Sequence, residues 1–347
     1  MDFSFSPDQV ELQLLARRIL GDTCTPEYLK ATAATDTGTD VALWRALGEA
    51  GLIGIGLDES AGGGGYGWLE TAIVLNEVGR HTAPVPALAV LVAAPSLAVQ
   101  ADLLDGVADG SVIVAPATHE AVGDAASPTT TVDGGRLTGT KVCVPSGLLA
   151  SRFVVSAADG LYAVEATAPG VMVTRQDTTS GVPDALVEFA GAPAVRLGGQ
   201  EASADLLRRA MSAVAVIVAG SCETALSMTA EYAKTRVQFE RPIASFQAVS
   251  QRAGDAYIDT EAIRLTAWQA AWRLANGYPA DNALLTAKFW AAEGGWRVVH
   301  AAHHIHGGFG VDRDYPLHRH FLMQKQLELL WGSATPSLRD LGRRLVS

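Results

Sequence analysis

Four of the eight histidines, His300, His303, His304 and His306, crowd into two helical turns. His300 and His303 are an i, i+3 pair, a spacing that can offer two imidazoles to a metal. No cysteine or carboxylate nearby completes a ligand set, so no metal is expected. The three cysteines, Cys24, Cys143 and Cys222, are widely spaced and odd in number. They outline neither a disulfide framework nor a zinc knuckle, and the plain reading is a reducing, cytoplasmic compartment. The run Gly62 to Gly65 invites a phosphate-loop reading. It fails that test, because helical patterns lie on both sides and no strand precedes it.

The elements that must position these residues change character twice. From Ser6 to about Ala101 helical periodicity dominates, with Val10, Leu12, Leu14, Leu15, Ile19 and Leu20 in a first helix. Val41 to Leu52 and Trp68 to Arg80 form later ones. Between Ser111 and Glu188 short Val- and Thr-rich segments alternate with turns such as Asp133-Gly134-Gly135 and Asp159-Gly160. That is the pattern of a small antiparallel barrel or sandwich. The strands are expected at Ser111–Ala115, Arg136–Thr138, Lys141–Val144, Phe153–Ser156, Tyr162–Glu165, Val171–Thr174 and Ala185–Glu188. From about Ala204 the helical period returns in four or five long helices, punctuated at Gly277-Tyr278-Pro279 and Gly307-Gly308-Phe309-Gly310. The fold class is therefore α+β, mainly α, and nothing suggests a βαβ nucleotide fold. Residues 1–110 read as an N-terminal α-helical domain, 111–203 as a middle β-barrel domain and 204–347 as a C-terminal helical bundle.

Composition narrows the partners. The chain has 347 residues, 48% hydrophobic and 18% charged, a globular balance. A formal net charge of -11 speaks against nucleic acid as a partner. There is no uninterrupted apolar run of about 18 residues, so no membrane span is expected. The start, MDFSFSPDQVELQ, lacks the basic-then-apolar layout of a signal peptide. With 21 arginines against 5 lysines, individual arginines matter more than bulk charge.

Three stretches resemble the acyl-CoA dehydrogenase family, in order and across nearly the whole chain. The first runs from Leu43-Trp44-Arg45 to Leu52-Ile53-Gly54, with Leu75-Asn76-Glu77-Val78-Gly79-Arg80 beyond the glycine run. The second is Arg236-Val237-Gln238-Phe239-Glu240-Arg241-Pro242-Ile243 with Phe246-Gln247, similar to the family's R-x-x-F-G-x-x-I…F-Q; Glu240 stands where that pattern has Gly. The third is His304-Ile305-His306-Gly307-Gly308-Phe309-Gly310 with Tyr315-Pro316-Leu317-His318-Arg319, similar to Q-x-x-G-G-x-G…P-x-x-R. The resemblance implies three domains and an FAD shared between subunits. Arg236 would face the pyrophosphate and Phe239 would border the adenosine of a neighbour's cofactor. His304, Gly307 and Gly308 would let backbone approach it. A guanidinium suits a diphosphate, and glycine permits close approach. Without the motif, Arg236 reads as a solvated helix arginine and Phe239 as a core residue.

The resemblance also implies α,β-dehydrogenation of an acyl-CoA by a carboxylate base and a flavin acceptor. The base is missing. Gly332 occupies the usual glutamate position in Leu330-Trp331-Gly332-Ser333-Ala334-Thr335. The second family location falls at Ala210-Met211, which carries no carboxylate. The flavin-facing segment departs as well: Cys143 stands for a Trp that packs on the ring, and Pro145 for a donating Thr. The resemblance extends to the smaller, non-catalytic subunits of actinobacterial heteromeric steroid-CoA dehydrogenases. It therefore implies a catalytic paralogue as partner, an α2β2 assembly and a steroid side-chain CoA thioester as substrate. Three readings compete. One is a self-sufficient dehydrogenase with Glu328 as displaced base. The second is a flavin monooxygenase of the same fold, and the third a cofactor-free scaffold subunit.

Overall fold

The Ser6 hydroxyl accepts the Gln9 N–H at 3.2 Å while Gln9 Oε1 accepts the Ser6 N–H at 2.9 Å, a reciprocal cap that starts the first helix. In the computed structural model, which describes residues 4–346, this helix is α1 (Pro7–Thr23). Four more helices follow: α2 (Pro26–Ala33), α3 (Val41–Glu49), α4 (Trp68–Arg80) and α5 (Ala87–Ala93). Thr25 and Asp40 cap α2 and α3 through their side-chain oxygens. The α4 bounds are those expected from periodicity. By contrast α2 is too short for its period to register, and its signal is the Thr25-Pro26 start.

Eight strands follow: β1 (Val114–Ala117), β2 (Thr131–Asp133), β3 (Arg136–Val144), β4 (Arg152–Ala157), β5 (Gly160–Glu165), β6 (Val171–Gln176), β7 (Asp184–Pro193) and β8 (Val195–Gly198). They form two four-stranded sheets, ordered β1-β4-β5-β8 and β2-β3-β7-β6. Pairing is antiparallel except between β1 and β4, which run parallel. The segments expected separately at Arg136–Thr138 and Lys141–Val144 are one strand, because Gly139 and Thr140 continue the ladder to β7. β2 and β8, of three and four residues, are too short for alternation to show.

The C-terminal part contains α6 (Gln200–Thr235), a hairpin of β9 (Val237–Gln238) and β10 (Arg241–Pro242), and then α7 (Gln247–Ala275), α8 (Asp281–Phe289), α9 (Gly295–His306), α10 (Leu317–Leu327) and α11 (Ala334–Val346). A π-helical turn at Trp290–Gly294 joins α8 to α9. Only α6 and α7 are long; the other four have 9 to 13 residues.

The described residues fall into two compact units. One comprises Thr35–Thr71 and Pro84–Ala210 and holds both sheets. Leu137 and Val144 from β3, Phe153 from β4, Tyr162 from β5 and Val187 and Phe189 from β7 share one core there. The Phe153 and Phe189 rings meet edge to face at 6.1 Å.

The other unit comprises the chain up to Ala34, Ala72–Ala83 and everything from Met211. It is organised by a close crossing of α4 and α6. A methyl group at Gly79 would overlap the Ile217 carbonyl, and one at Gly220 the Asn76 carbonyl. Asn76 Nδ2 donates to the Val216 carbonyl at 2.9 Å. Beside this crossing the fully buried Glu77 accepts two bonds from Arg17 of α1, at 2.7 and 3.1 Å. Arg80 donates to Asn76 Oδ1 at 3.2 Å and pairs with Glu223 of α6. α6 contains an 18-residue window apolar enough to cross a membrane by length and composition, although no uninterrupted apolar run exists. Of that window 67% is buried within the protein, which identifies it as a core helix.

The crossing yields a direct test. Gly220→Ala should destabilise the chain by about 2 kcal/mol or more through overpacking, lowering the urea midpoint at unchanged slope. Gly254→Ala on α7, where an added methyl meets nothing within 4 Å, should be neutral or stabilising by up to about 1 kcal/mol.

Candidate functional site

Arg236 follows directly on the end of α6 and opens the β9–β10 hairpin, so it is not a helix residue. It is exposed, and among the described residues it makes no ion pair or side-chain hydrogen bond. The hairpin pairs Val237 with Pro242 and Gln238 with Arg241, leaving a two-residue loop of Phe239 and Glu240. Both loop residues have positive φ, +51° and +65°, the pattern of a type I′ turn, which favours Asn-Gly. Forcing side-chain-bearing residues into this region costs roughly 1–2 kcal/mol each. The departure from glycine at Glu240 is therefore carried as strain. The Phe239 ring is 87% exposed and is not a core residue. It meets Phe246 edge to face at 6.2 Å, and the Arg241 guanidinium lies 4.1 Å above the same Phe246 ring.

His304 lies exposed in the last turn of α9, which ends at Gly307 with φ +60° and ψ −140°. Gly307 and Gly308 then open a 3₁₀ turn to Val311. An added methyl at either glycine would meet nothing within 4 Å. Gly307 is required by its backbone angle, whereas internal packing gives no reason for glycine at 308.

Tyr232, one turn before Arg236 on α6, links the two motifs. Its carbonyl accepts the Arg236 N–H at 2.8 Å, and its ring stacks on His306 at 4.3 Å and on Phe309 at 5.6 Å. Tyr315 closes the group, 4.5 Å from the Phe309 ring. His306 Nδ1 donates to the Ala302 carbonyl at 2.8 Å. Burial lowers its pKa, which favours the neutral ring, and in that form Nε2 accepts the Tyr315 hydroxyl at 3.2 Å. His300 and His303 spend one nitrogen each on the carbonyls of Trp296 and Val299. They pack on Phe321. The Arg-x-x-Phe hairpin and the Gly-Gly turn are thus brought together by an aromatic pillar. Sequence reasoning missed Tyr232, whose only signal was its place one turn before Arg236.

A third locus is the corner after α10. Trp331 and Gly332 have φ of +53° and +100°. The side chain of Glu328 is only 14% exposed, and Oε1 pairs with Lys325 at 2.5 Å. Its Oε2 is buried without a hydrogen-bond partner among the described residues. The fully buried Lys288 donates to the carbonyls of Leu327 and Glu328 at 2.9 and 3.2 Å, satisfying the end of α10. In return Gln324 of α10 donates to the Ala291 and Ala292 carbonyls in the π turn, at 2.8 and 3.4 Å.

Comparison with known proteins places this geometry. Residues 199–346 match the acyl-CoA dehydrogenase C-terminal domain and residues 6–104 the acyl-CoA dehydrogenase N-terminal domain. The acyl-CoA dehydrogenase FadE27 of Mycobacterium tuberculosis is 40% identical over 369 residues, covering 100% of this chain and 99% of that protein. The chain belongs to the acyl-CoA dehydrogenase family. Among solved structures, the Tcur3481-Tcur3483 steroid ACAD G363A variant aligns with a TM-score of 0.93 at 43% identity, over 98% of each chain. The ChsE4-ChsE5 complex from Mycobacterium tuberculosis aligns with a TM-score of 0.93 at 39% identity, over 100% of this chain and 99% of that one.

An acyl-CoA dehydrogenase needs polar groups free to meet a ligand, and this chain turns several of them inward. Glu120 accepts from the backbone and hydroxyl of Thr129 (2.8 and 2.5 Å) and of Thr130 (2.9 and 2.7 Å). It also accepts from the fully buried Lys141 at 2.8 Å. Burial opposes ionisation of Glu120, but these donors outweigh it and hold the carboxyl well below its usual range. The Val142 N–H goes to the His119 carbonyl at 3.0 Å. Cys143 sits at φ +50° in a bulge of β3, its N–H donated to Gln176 Oε1 at 2.7 Å. Burial first, and then Asp184, push its thiol pKa up. At Ala210-Met211 the preceding side chain is Arg209. Its guanidinium donates to Ser96 Oγ at 2.6 Å and to the Val92 carbonyl at 3.3 Å, and burial lowers its pKa to about 10. The Gly62–Gly65 run is closed on itself. Its N–H groups at 63, 64 and 65 bond the carbonyls of Asp58, Gly54 and Leu57.

Lys288 gives a pH signature. Burial lowers its pKa to about 7 from 10.5, with Glu328 opposing. The folded state therefore disfavours the charged form. That penalty is complete below about pH 7 and is relieved as pH rises toward the unfolded value. The wild-type chain should gain stability relative to Lys288→Met between pH 7 and 10, read as a growing difference in denaturant midpoint. A difference that is flat with pH would contradict the assignment.

Proposed function

We propose that this chain is the non-catalytic subunit of an FAD-dependent acyl-CoA dehydrogenase, working in the cytoplasm with a catalytic paralogue. The observation that carries the reading is an asymmetry. Neither Gly332 nor Ala210-Met211 offers a carboxylate, while Arg236, Phe239, His304, Gly307 and Gly308 are all exposed. Gly332 also has φ +100°, a conformation that resists restoring a glutamate there. Glu328 is tied to Lys325 and mostly buried, which argues against its use as a displaced base. The engaged Glu120–Lys141 and Val142–His119 contacts leave little for a flavin ring on this chain's own β-domain, and this disfavours the monooxygenase reading.

The exposed groups fit the outer end of a partner's FAD. Arg236 has unused donors for a diphosphate, the Phe239 face suits an adenine, and the open space over Gly308 admits close backbone approach. Held there, FAD would supply the hydride acceptor for the acyl-CoA β-carbon, and a carboxylate of the partner subunit would take the α-proton. This chain's residues bind and orient the cofactor's outer end through Arg236 and the Gly307-Gly308 turn, and they move no proton. An α2β2 assembly follows from one such pairing doubled by a two-fold axis. The likeness to a steroid ACAD supports a steroid side-chain CoA thioester as substrate, and the likeness to the ChsE4-ChsE5 complex supports a partner subunit.

The test is co-expression. Alone, the chain should carry no FAD and no dehydrogenase activity; with its catalytic paralogue, both should appear. In the complex, Arg236→Gln should weaken FAD retention about tenfold, a loss of one charge-assisted contact, while Glu328→Gln leaves turnover unchanged. Full flavin loading and turnover by the chain alone would overturn the proposal. A fully active complex that holds FAD equally well with Arg236→Gln would reduce the chain to a scaffold.

A further inference from the structure

We infer that a cleft formed by α7, α8 and α11 binds a small phosphate-bearing ligand, at a site separate from the hairpin and the glycine turn. The cleft has a volume of about 490 Å³, within the range of small-molecule sites. Its walls include Gln269 and Arg273 of α7, Asp281, Asn282 and Thr286 of α8, and Arg344 of α11. None of these takes part in the functional reading above.

Charge and geometry select the ligand. The cleft sets two guanidinium groups against one carboxylate, in a chain whose net charge is -11. Arg273 is fixed at one point, Nε donating to the Pro279 carbonyl at 2.7 Å. Its remaining N–H groups have no partner among the described residues. Arg344 is held by Asp281 at 2.9 Å and stays about half exposed (52%). Asp281 thus orients one arginine and leaves the other uncompensated. An arginine anchored through Nε presents its terminal nitrogens as a fork, the geometry that grips two oxygens of one phosphate. Gln269 and Asn282 add amide donors. The Thr286 hydroxyl donates its proton to the Asn282 carbonyl at 2.8 Å, which fixes its rotamer at the cleft wall. A tetrahedral dianion uses more of these donors than a planar carboxylate does, and so phosphate is favoured.

The probe is inorganic pyrophosphate, titrated calorimetrically into the complex of this chain with its catalytic paralogue, with succinate as the carboxylate counterpart. Saturable pyrophosphate binding is expected, at least tenfold weaker in Arg273→Gln and in Arg344→Gln and unchanged in Arg236→Gln. The last variant separates the cleft from the hairpin arginine. Thermal melting of each variant checks that the fold is intact. Absence of saturable binding would overturn the inference. So would binding that survives both cleft variants, that is lost in Arg236→Gln, or that succinate matches.

Discussion

The approach of α4 to α6 at Gly79 and Gly220 is the constraint on which the helical unit rests. With no side chain on either helix at the contact, each glycine faces a carbonyl of the other helix. Asn76 can then reach the Val216 carbonyl. The same closeness creates a problem that Glu77 answers. Burying a carboxylate is costly unless charge and hydrogen bonds compensate it, and here Arg17 gives a two-point grip with Arg80 alongside. This contact binds α1, α4 and α6 together. Since α6 carries Tyr232 and ends at the hairpin, the direction of the exposed arginine and phenylalanine is set several turns away, at the crossing.

The chain handles polar groups in two contrasting ways. In the β-unit, Glu120, Lys141, Thr129 and Thr130 consume one another's hydrogen-bonding capacity, and β3 is pinned as a result. Around α10, Lys288 and Gln324 exchange donors with backbone carbonyls across the π turn, so that an irregular helix junction has its free carbonyls met. The β-unit network is satisfied and therefore rigid, whereas around α10 Gln324 Oε1 and Glu328 Oε2 stay buried with no hydrogen-bond partner among the described residues. The hairpin and the glycine turn are the opposite case, with donors and space left open at the surface.

Much of this was legible in the sequence, and what was not has identifiable causes. The α4 bounds could be read because Leu69, Ala72, Ile73, Leu75 and Val78 repeat over three turns. β2 and β8 could not, since three or four residues carry no period. The run Gly62 to Gly65 was read from context as a loop between helices and not a phosphate loop, and the partners of its N–H groups emerged only in three dimensions. At the site, the Arg236 and Gly307-Gly308 motifs could be named from their spacing. Their junction through Tyr232, His306, Phe309 and Tyr315 depends on long-range stacking that no local pattern encodes. Phe239 shows the limit most clearly: composition reads phenylalanine as core, and the fold sets it on a turn tip, 87% exposed.

That tip has a consequence for how the chain is supplied in a cell. The two-residue loop holds both residues in left-handed backbone with an aromatic ring at its tip, so strain is stored at the point a covering surface would reach. If the proposed partner covers Phe239, making the two chains in step would keep the exposed state brief.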